Sequence, residues 1–265
     1  MKTILITGST DGIGKLTALK LAKEGHEIYL HGRSEDKLNA VINELKEASN
    51  NKNIKGFIAD FSDLNAVKQM AEQIINDVEK LDVLINNAGI FKTATNKTKD
   101  GLDIRMAVNY LAPYILTENI ISVLEKGTNT RVVNLSSAAQ STVQKGVLSG
   151  DATVNASESY AQSKLALTMW SFIFAKQHQN ITTIAVNPGS LLNTKMVKEA
   201  YGQHWSPAEK GVAILFELAT SKTHQNESGK YFDNDKGMYA KAYPDVYNLI
   251  KTESLITETK SILKK

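Results

Sequence analysis

The stretch Met1-Lys2-Thr3-Ile4-Leu5-Ile6-Thr7-Gly8-Ser9-Thr10-Asp11-Gly12-Ile13-Gly14, continuing into Lys15-Leu16-Thr17-Ala18, decides the fold. A short apolar, β-branched run enters a glycine-rich turn and leaves it as a helix. Gly8, Gly12 and Gly14 permit a tight turn and close approach of a ligand to the backbone. The first helical turn then presents unpaired N–H groups and the positive end of the helix dipole, which suit a pyrophosphate. Three glycines alone would be an ordinary turn. The strand before and the helix after favour a dinucleotide loop built from Gly8, Ser9, Thr10, Asp11, Gly12, Ile13 and Gly14.

Outward from this loop, short apolar runs alternate with longer amphipathic stretches, the pattern of βαβ units building a parallel sheet. Strands are predicted at Thr3–Thr7, Glu27–His31, Ile54–Ala59, Leu81–Asn86, Arg131–Leu135, Ile181–Val186 and, more weakly, Lys230–Phe232. Helices are predicted near Gly12–Lys23, Glu35–Glu47, Leu64–Glu79, Gly101–Leu124, Ser157–Gln177, Pro207–Thr220 and Val246–Leu263. With no linker or repeat between them, residues 1–265 read as one α/β domain, a doubly wound parallel sheet of about seven strands with helices on both faces. Two polar stretches break the rhythm, Ala138–Glu158 and Ser190–Trp205. Both follow carboxyl ends of strands, where open α/β sheets hold ligands, and are expected to be substrate loops.

Composition narrows the class. The chain has 265 residues, 31 basic against 28 acidic side chains, a formal charge of +3 and no cysteine. Absent cysteines exclude disulfides, thiolate catalysis and cysteine metal sites, and point to the cytoplasm. No basic block of the kind that tracks nucleic acid is present. The amino-terminal apolar run is too short for a signal peptide or a membrane span. The histidines at 26, 31, 178, 204 and 224 lack ligand spacing, so no metal site is expected.

The second strand ends in His31-Gly32-Arg33-Ser34, where an NAD enzyme would place a carboxylate against the ribose 2′-hydroxyl. An arginine fork pairs with a 2′-phosphate, so NADP(H) is preferred over NAD(H), with Arg33 and Ser34 as the contacts. A solvated surface arginine is the alternative. Asp60, next to Phe61 at the end of the third strand, suits the adenine amino group and could equally cap the following helix.

Tyr160-Ala161-Gln162-Ser163-Lys164 puts a phenol and an ammonium one helical turn apart on one face. The cation favours phenolate and draws the tyrosine pKa toward the working range of a general acid. Alone, such spacing is common on solvated helices. Here the fifth strand delivers Ser136 and Ser137 to the same sheet edge, and Asn86-Asn87-Ala88-Gly89 ends the fourth strand there with small residues. Asn109 sits inside an otherwise helical stretch, where asparagine is disfavoured; it reads as a buried amide satisfying backbone, with or without a functional role.

Together these motifs resemble the short-chain dehydrogenase/reductase family: Thr7–Gly14 its T-G-x-x-x-G-x-G loop, Asn86–Gly89 its N-N-A-G, Ser137, Tyr160 and Lys164 its serine and Y-x-x-x-K, and Pro188-Gly189 its P-G after the sixth strand. The resemblance covers nearly the whole chain and implies the strand order 3-2-1-4-5-6-7. It also implies a tetrad of Asn109, Ser137, Tyr160 and Lys164, with Asn87, Ala88, Gly89, Pro188 and Gly189 beside the cofactor. The long 138–158 segment, Arg33 and the helical tail from 243 to 265 are similar to the retinol dehydrogenase and WW-domain oxidoreductase-like branch. The stretch from Pro188 to Thr194 is one residue longer than the family's P-G-x-x-x-T.

The reading is therefore a carbonyl/alcohol oxidoreductase of the carbonyl reductase kind, acting on a small molecule with NADP(H). A dinucleotide sensor or scaffold without turnover is the rival. The apolar residues Leu165, Leu167, Met169, Trp170, Phe172, Ile173 and Phe174 fit either a homodimer or homotetramer packed through this helix, as in relatives, or burial within one subunit.

Overall fold

The computed structural model describes residues 1–264, without the side chains of residues 200 and 201. The apolar runs become strands β1 (Thr3–Ile6), β2 (Glu27–Gly32), β3 (Ile54–Ile58), β4 (Val83–Asn86), β5 (Arg131–Leu135), β6 (Thr182–Asn187), β7 (Lys230–Asp233) and β8 (Met238–Ala240). Among the described residues they form one sheet in the order β3-β2-β1-β4-β5-β6-β7-β8. The first seven are parallel in the expected order, while β8 turns back antiparallel on β7. This eighth strand escaped the sequence reading because three residues carry too little alternation to register.

Helices flank both faces: α1 (Gly12–Lys23), α2 (Glu35–Ser49), α3 (Leu64–Asp77), α4 (Ile104–Met106), α5 (Ala112–Asn119), α6 (Ile121–Leu124), α7 (Ala156–Gln177), α8 (Lys195–Tyr201), α9 (Ala208–Thr220) and α10 (Leu249–Leu263). Side chains alternate across each strand. Ile4 and Ile6 join a core with Leu21 of α1, Leu38 of α2 and Leu215 of α9. Leu5 faces the other core, with Val67 of α3, Leu116 of α5, Trp170 of α7 and Leu255 of α10.

The helix predicted over Gly101–Leu124 forms from Ile104 onward, but it passes through a π-helical turn and is interrupted at Ile120. It starts at Ile104 after Asp103, whose carboxylate accepts from the N–H groups of Arg105 and Met106. Residues Ala107–Leu111 then form a π-helical turn, in which the N–H of Ala112 donates to the carbonyl of Ala107 five residues back. Pro113 follows and has no N–H to give the carbonyl of Asn109, so the regular ladder cannot run through this point. The Ser190–Trp205 stretch also departs from a plain loop, since it contains α8. The predicted tail divides into a 3-10 turn, Pro244–Tyr247, and α10; Lys265 lies outside the described residues.

Most of the apolar face of α7 is used inside the chain. Leu165, Leu167, Met169, Trp170 and Phe174 are buried, whereas Phe172 and Ile173 stay half-buried. Trp170 packs on Tyr114, and Phe172 meets Tyr247 edge-on. No helix among the described residues is long and apolar enough to cross a membrane.

Candidate active site

The carboxyl ends of β1 and β4 are stitched by small polar groups. Asn87 donates from its amide to the carbonyls of Thr7 (2.8 Å) and Gly8 (2.9 Å), and the N–H groups of Asn87 and Ala88 both donate to the Thr7 hydroxyl (3.0 Å each). Gly8 has φ +62°, and a Cβ there would lie 2.7 Å from the Ala88 Cα. At Gly12, also left-handed at φ +55°, a Cβ would meet nothing within 4 Å. One glycine thus allows the two loops to touch, and the other borders open space above the start of α1. Helix geometry leaves the N–H groups of Ile13 and Gly14 without intrahelical acceptors; that of Gly12 is capped by Asp11 at 2.8 Å.

Not every predicted loop residue turns its side chain outward. Ser9 is fully buried, donating to the Ile6 carbonyl (2.7 Å) and accepting from the His31 N–H (2.9 Å). His31, which sequence reading took only as a strand terminus, props the glycine loop. Its Nδ1 accepts from the Gly8 N–H at 3.0 Å while Nε2 faces the Ala59 carbonyl at 3.0 Å. Burial pushes its pKa down to about 4, so the ring stays neutral as this pairing requires.

Arg33 and Ser34 lie exposed at the start of α2, with Ser34 capping the helix. Asp60 does not cap α3. That role belongs to Asp63, which accepts from the N–H groups of Asn65 and Ala66, while Asp60 closes a turn by accepting from Ser62. Phe61 is buried with its ring stacked on His31 at 4.1 Å, so only its backbone is available to a ligand. At the far side, the Pro188 carbonyl accepts from Asn234 (2.8 Å), and Gly189 adopts φ +126°. Asp235 holds the next residue, accepting from the Ser190 N–H (2.9 Å) and hydroxyl. Asn234 and Asp235 carried no sequence signal, because their role depends on the β7–β8 turn.

The central groups converge on Gly89. A Cβ there would lie 3.3 Å from Asn109 Oδ1 and 3.4 Å from Lys164 Nζ, so the missing side chain makes room for both. Asn109 sits within the π-helical turn and is fully buried. It accepts from the Ile90 N–H (2.8 Å) and donates to the Ile90 carbonyl and the Ser163 hydroxyl (3.0 Å each). Lys164 donates to the Leu135 carbonyl at 2.7 Å. Its Nζ stands 5.6 Å from the centre of the Tyr160 ring, and desolvation lowers its pKa to about 8.

Tyr160 is half-buried, with the Phe91 ring edge-on to it at 4.9 Å. The two serines, just beyond the end of β5, part company. Ser136 is buried against Thr168 at 2.6 Å, whereas Ser137 is half-buried. The Ser137 hydroxyl accepts from the Ala139 N–H at 3.1 Å, and its carbonyl accepts from Gln140 (2.8 Å) and Tyr231 (3.1 Å).

Comparison with known proteins gives the family and the fold. The family model for short chain dehydrogenases matches residues 2–205. The chain belongs to that family. Bovine retinol dehydrogenase 12 is 32% identical over 248 residues, covering 89% of this chain and 78% of the relative. Human polyprenol dehydrogenase is 30% identical over 210 residues, 76% of this chain and 63% of the relative. With human retinol dehydrogenases 11 and 13 also similar, at 31% and 29%, the short-chain dehydrogenase falls in the retinol dehydrogenase-like branch. Solved structures share its fold. A Shigella flexneri short chain dehydrogenase complexed with NADP superposes with a TM-score of 0.73 at 23% identity, covering 88% of this chain and 97% of its own. A Mycobacterium paratuberculosis protein gives 0.81 at 21% identity, covering 100% and 94%.

Proposed function

We propose that this short-chain dehydrogenase interconverts a carbonyl and an alcohol with NADP(H) in preference to NAD(H), Tyr160 handling the proton. The observation that carries the reading is the convergence at Gly89, where a buried ammonium and a buried amide meet beside a phenol ring. The residues fit a dinucleotide: open space stands above the α1 N-terminus at Gly12, and Arg33 is exposed, without a carboxylate partner among the described residues, where a 2′-phosphate would lie. The NADP complex of the S. flexneri relative is compatible with this choice.

When bound, the nicotinamide dinucleotide supplies or accepts the hydride. Tyr160 holds the proton at its phenolic oxygen, gives it to the substrate oxygen in reduction and takes it back in oxidation. Lys164 stabilises the phenolate, because a nearby cation favours the charged form. Ser137 donates a hydrogen bond to the substrate oxygen as negative charge develops. Both amide protons of Asn109 are already taken, so a relay water there would donate to its main-chain carbonyl or to the second lone pair of Oδ1. The segments 138–158 and 190–205 shape the substrate side, and the cysteine-free chain suits the cytoplasm.

The test is NADPH oxidation over a panel of aliphatic, aromatic and retinoid aldehydes and ketones. Wild type turns over at least one of them, and Tyr160→Phe loses on the order of a hundredfold or more in turnover while still binding NADPH. A Tyr160→Phe variant with wild-type turnover refutes the assignment.

A further inference from the structure

Arg105 is unusual for a charged residue. It is 2% exposed and forms no ion pair among the described residues. Burying a guanidinium is unfavourable unless every donor is satisfied. Here its donors fan out to one loop: Nε to the Phe91 carbonyl at 2.6 Å, Nη1 to Asn96 Oδ1 at 3.3 Å and Nη2 to the Thr93 hydroxyl at 3.3 Å. The short bond goes to Phe91, and desolvation, opposed by the nearby Asp103, lowers the arginine's pKa.

Phe91 is the residue whose ring lies edge-on to Tyr160, at 4.9 Å and 68°. Four positions beyond Arg105, Asn109 grips the preceding residue, Ile90, by both its N–H and its carbonyl. Consecutive residues after Gly89 are therefore held by two side chains of one helical segment. The same segment is tied to the start of α7, since Asp103 Oδ1 accepts from the Ser159 hydroxyl at 2.7 Å, next to Tyr160 in sequence. A rigid planar fork reaching three points of a loop is what arginine offers and lysine does not.

We propose that Arg105 is a positioning residue for Tyr160, acting through Phe91. By fixing the Phe91 carbonyl it fixes the ring that buttresses the phenol edge-on, and so the tilt of the Tyr160 side chain that sets where its hydroxyl lies relative to Lys164. The proposal rests on the reading of Tyr160 as the proton-transfer group, and its test separates the two.

Arg105→Met, Arg105→Lys and Phe91→Leu are each made with and without Tyr160→Phe. The ionisation of Tyr160 is then read as the difference in phenolate absorbance during a pH titration, a measurement that needs no substrate. Arg105→Met and Phe91→Leu are expected to move that ionisation upward by about half a pH unit or more. Both should lower kcat on the order of tenfold, as small misplacements do, with KM for NADPH within about twofold. Arg105→Lys, able to reach the Phe91 carbonyl, recovers part of each effect, and the Arg105→Met/Phe91→Leu double variant is no worse than the poorer single one. If Arg105→Met does not fold, Arg105→Lys and Phe91→Leu carry the comparison.

Arg105 variants that lower the melting temperature yet leave the Tyr160 ionisation and kcat at wild-type values overturn the proposal and make Arg105 a structural tie only. A wild-type protein without turnover on any carbonyl would instead defeat the proposed function, while the titration still decides the positioning role.

Discussion

Replacing Lys164 by methionine should abolish turnover while relieving the fold. Burial lowers the pKa of this ammonium from 10.5 to about 8, and at about 1.4 kcal/mol per unit that shift corresponds to about 3 kcal/mol. The sign follows from proton counting. Below about pH 8 lysine is protonated in both folded and unfolded chains, and the full desolvation penalty applies. Between about pH 8 and 10.5 the unfolded chain binds more protons than the folded one, so stability rises with pH and the penalty fades. Methionine has no such dependence. At neutral pH the variant gains the relieved penalty but leaves the Leu135 carbonyl, now 2.7 Å from Nζ, without its donor, a loss of about 1–3 kcal/mol. The variant should therefore equal wild type or exceed it by up to about 2 kcal/mol. The cleaner quantity is the difference between the two proteins, in which other titrations cancel: wild type should gain about 2 kcal/mol on the variant between about pH 7 and about pH 9.5. Urea unfolding of the cofactor-free proteins at both pH values measures it. A difference that is flat, or that moves the other way, would show that the ammonium is not desolvated as the geometry implies.

Two further substitutions probe the cofactor end and the carboxyl-terminal helix. Arg33→Ala should weaken NADPH binding about tenfold or more, the worth of a charge-assisted contact to a 2′-phosphate, and leave NADH within about twofold in a fluorescence titration; equal weakening of both would remove Arg33 from cofactor choice. Thr259→Val takes the partner from the fully buried Tyr110 hydroxyl, 2.7 Å away, and should cost about 1–3 kcal/mol in urea unfolding. Adding Tyr110→Phe should restore part of that loss, and an unchanged single variant would mean that α10 does not dock on this face.

What was legible in the sequence was whatever a local pattern records. The glycine loop after β1, the alternation of strands and helices, and the Tyr160–Lys164 spacing are all encoded within a few neighbouring residues, and the structure has the first seven strands in the expected order. The rest depends on which elements meet in space. The helix predicted over Gly101–Leu124 has the right apolar content; a π-helical turn that seats Asn109, with Pro113 just beyond it, changes its register, and Ile120 interrupts it. Asp60 reads equally as an adenine contact or a helix cap, and the cap falls three residues later, within the usual uncertainty of a helix start. His31 looked like a strand end, and only the packing of β2 against the glycine loop shows it as the prop of Gly8. Pro113 was the one local signal that could have located the π-helical turn.

Two groups that the sequence did not mark, Arg105 and Ser163, share a physical character with two that it did, Asn109 and Lys164, and it bears on how the site will respond to change. Arg105, Asn109, Ser163 and Lys164 are buried polar side chains that satisfy one another or nearby backbone across separate elements. Asn109 donates to the Ser163 hydroxyl, which itself donates to the Tyr160 carbonyl at 2.7 Å. Removing any member leaves a partner buried without its bond, so the loss includes the desolvation of that partner as well as the missing contact. Effects at 105, 109 and 163 should accordingly be non-additive, the second substitution costing less than it does alone. An additive triple variant would mean that these residues hold separate parts of the fold, and the phenol would then owe its orientation to α7 alone.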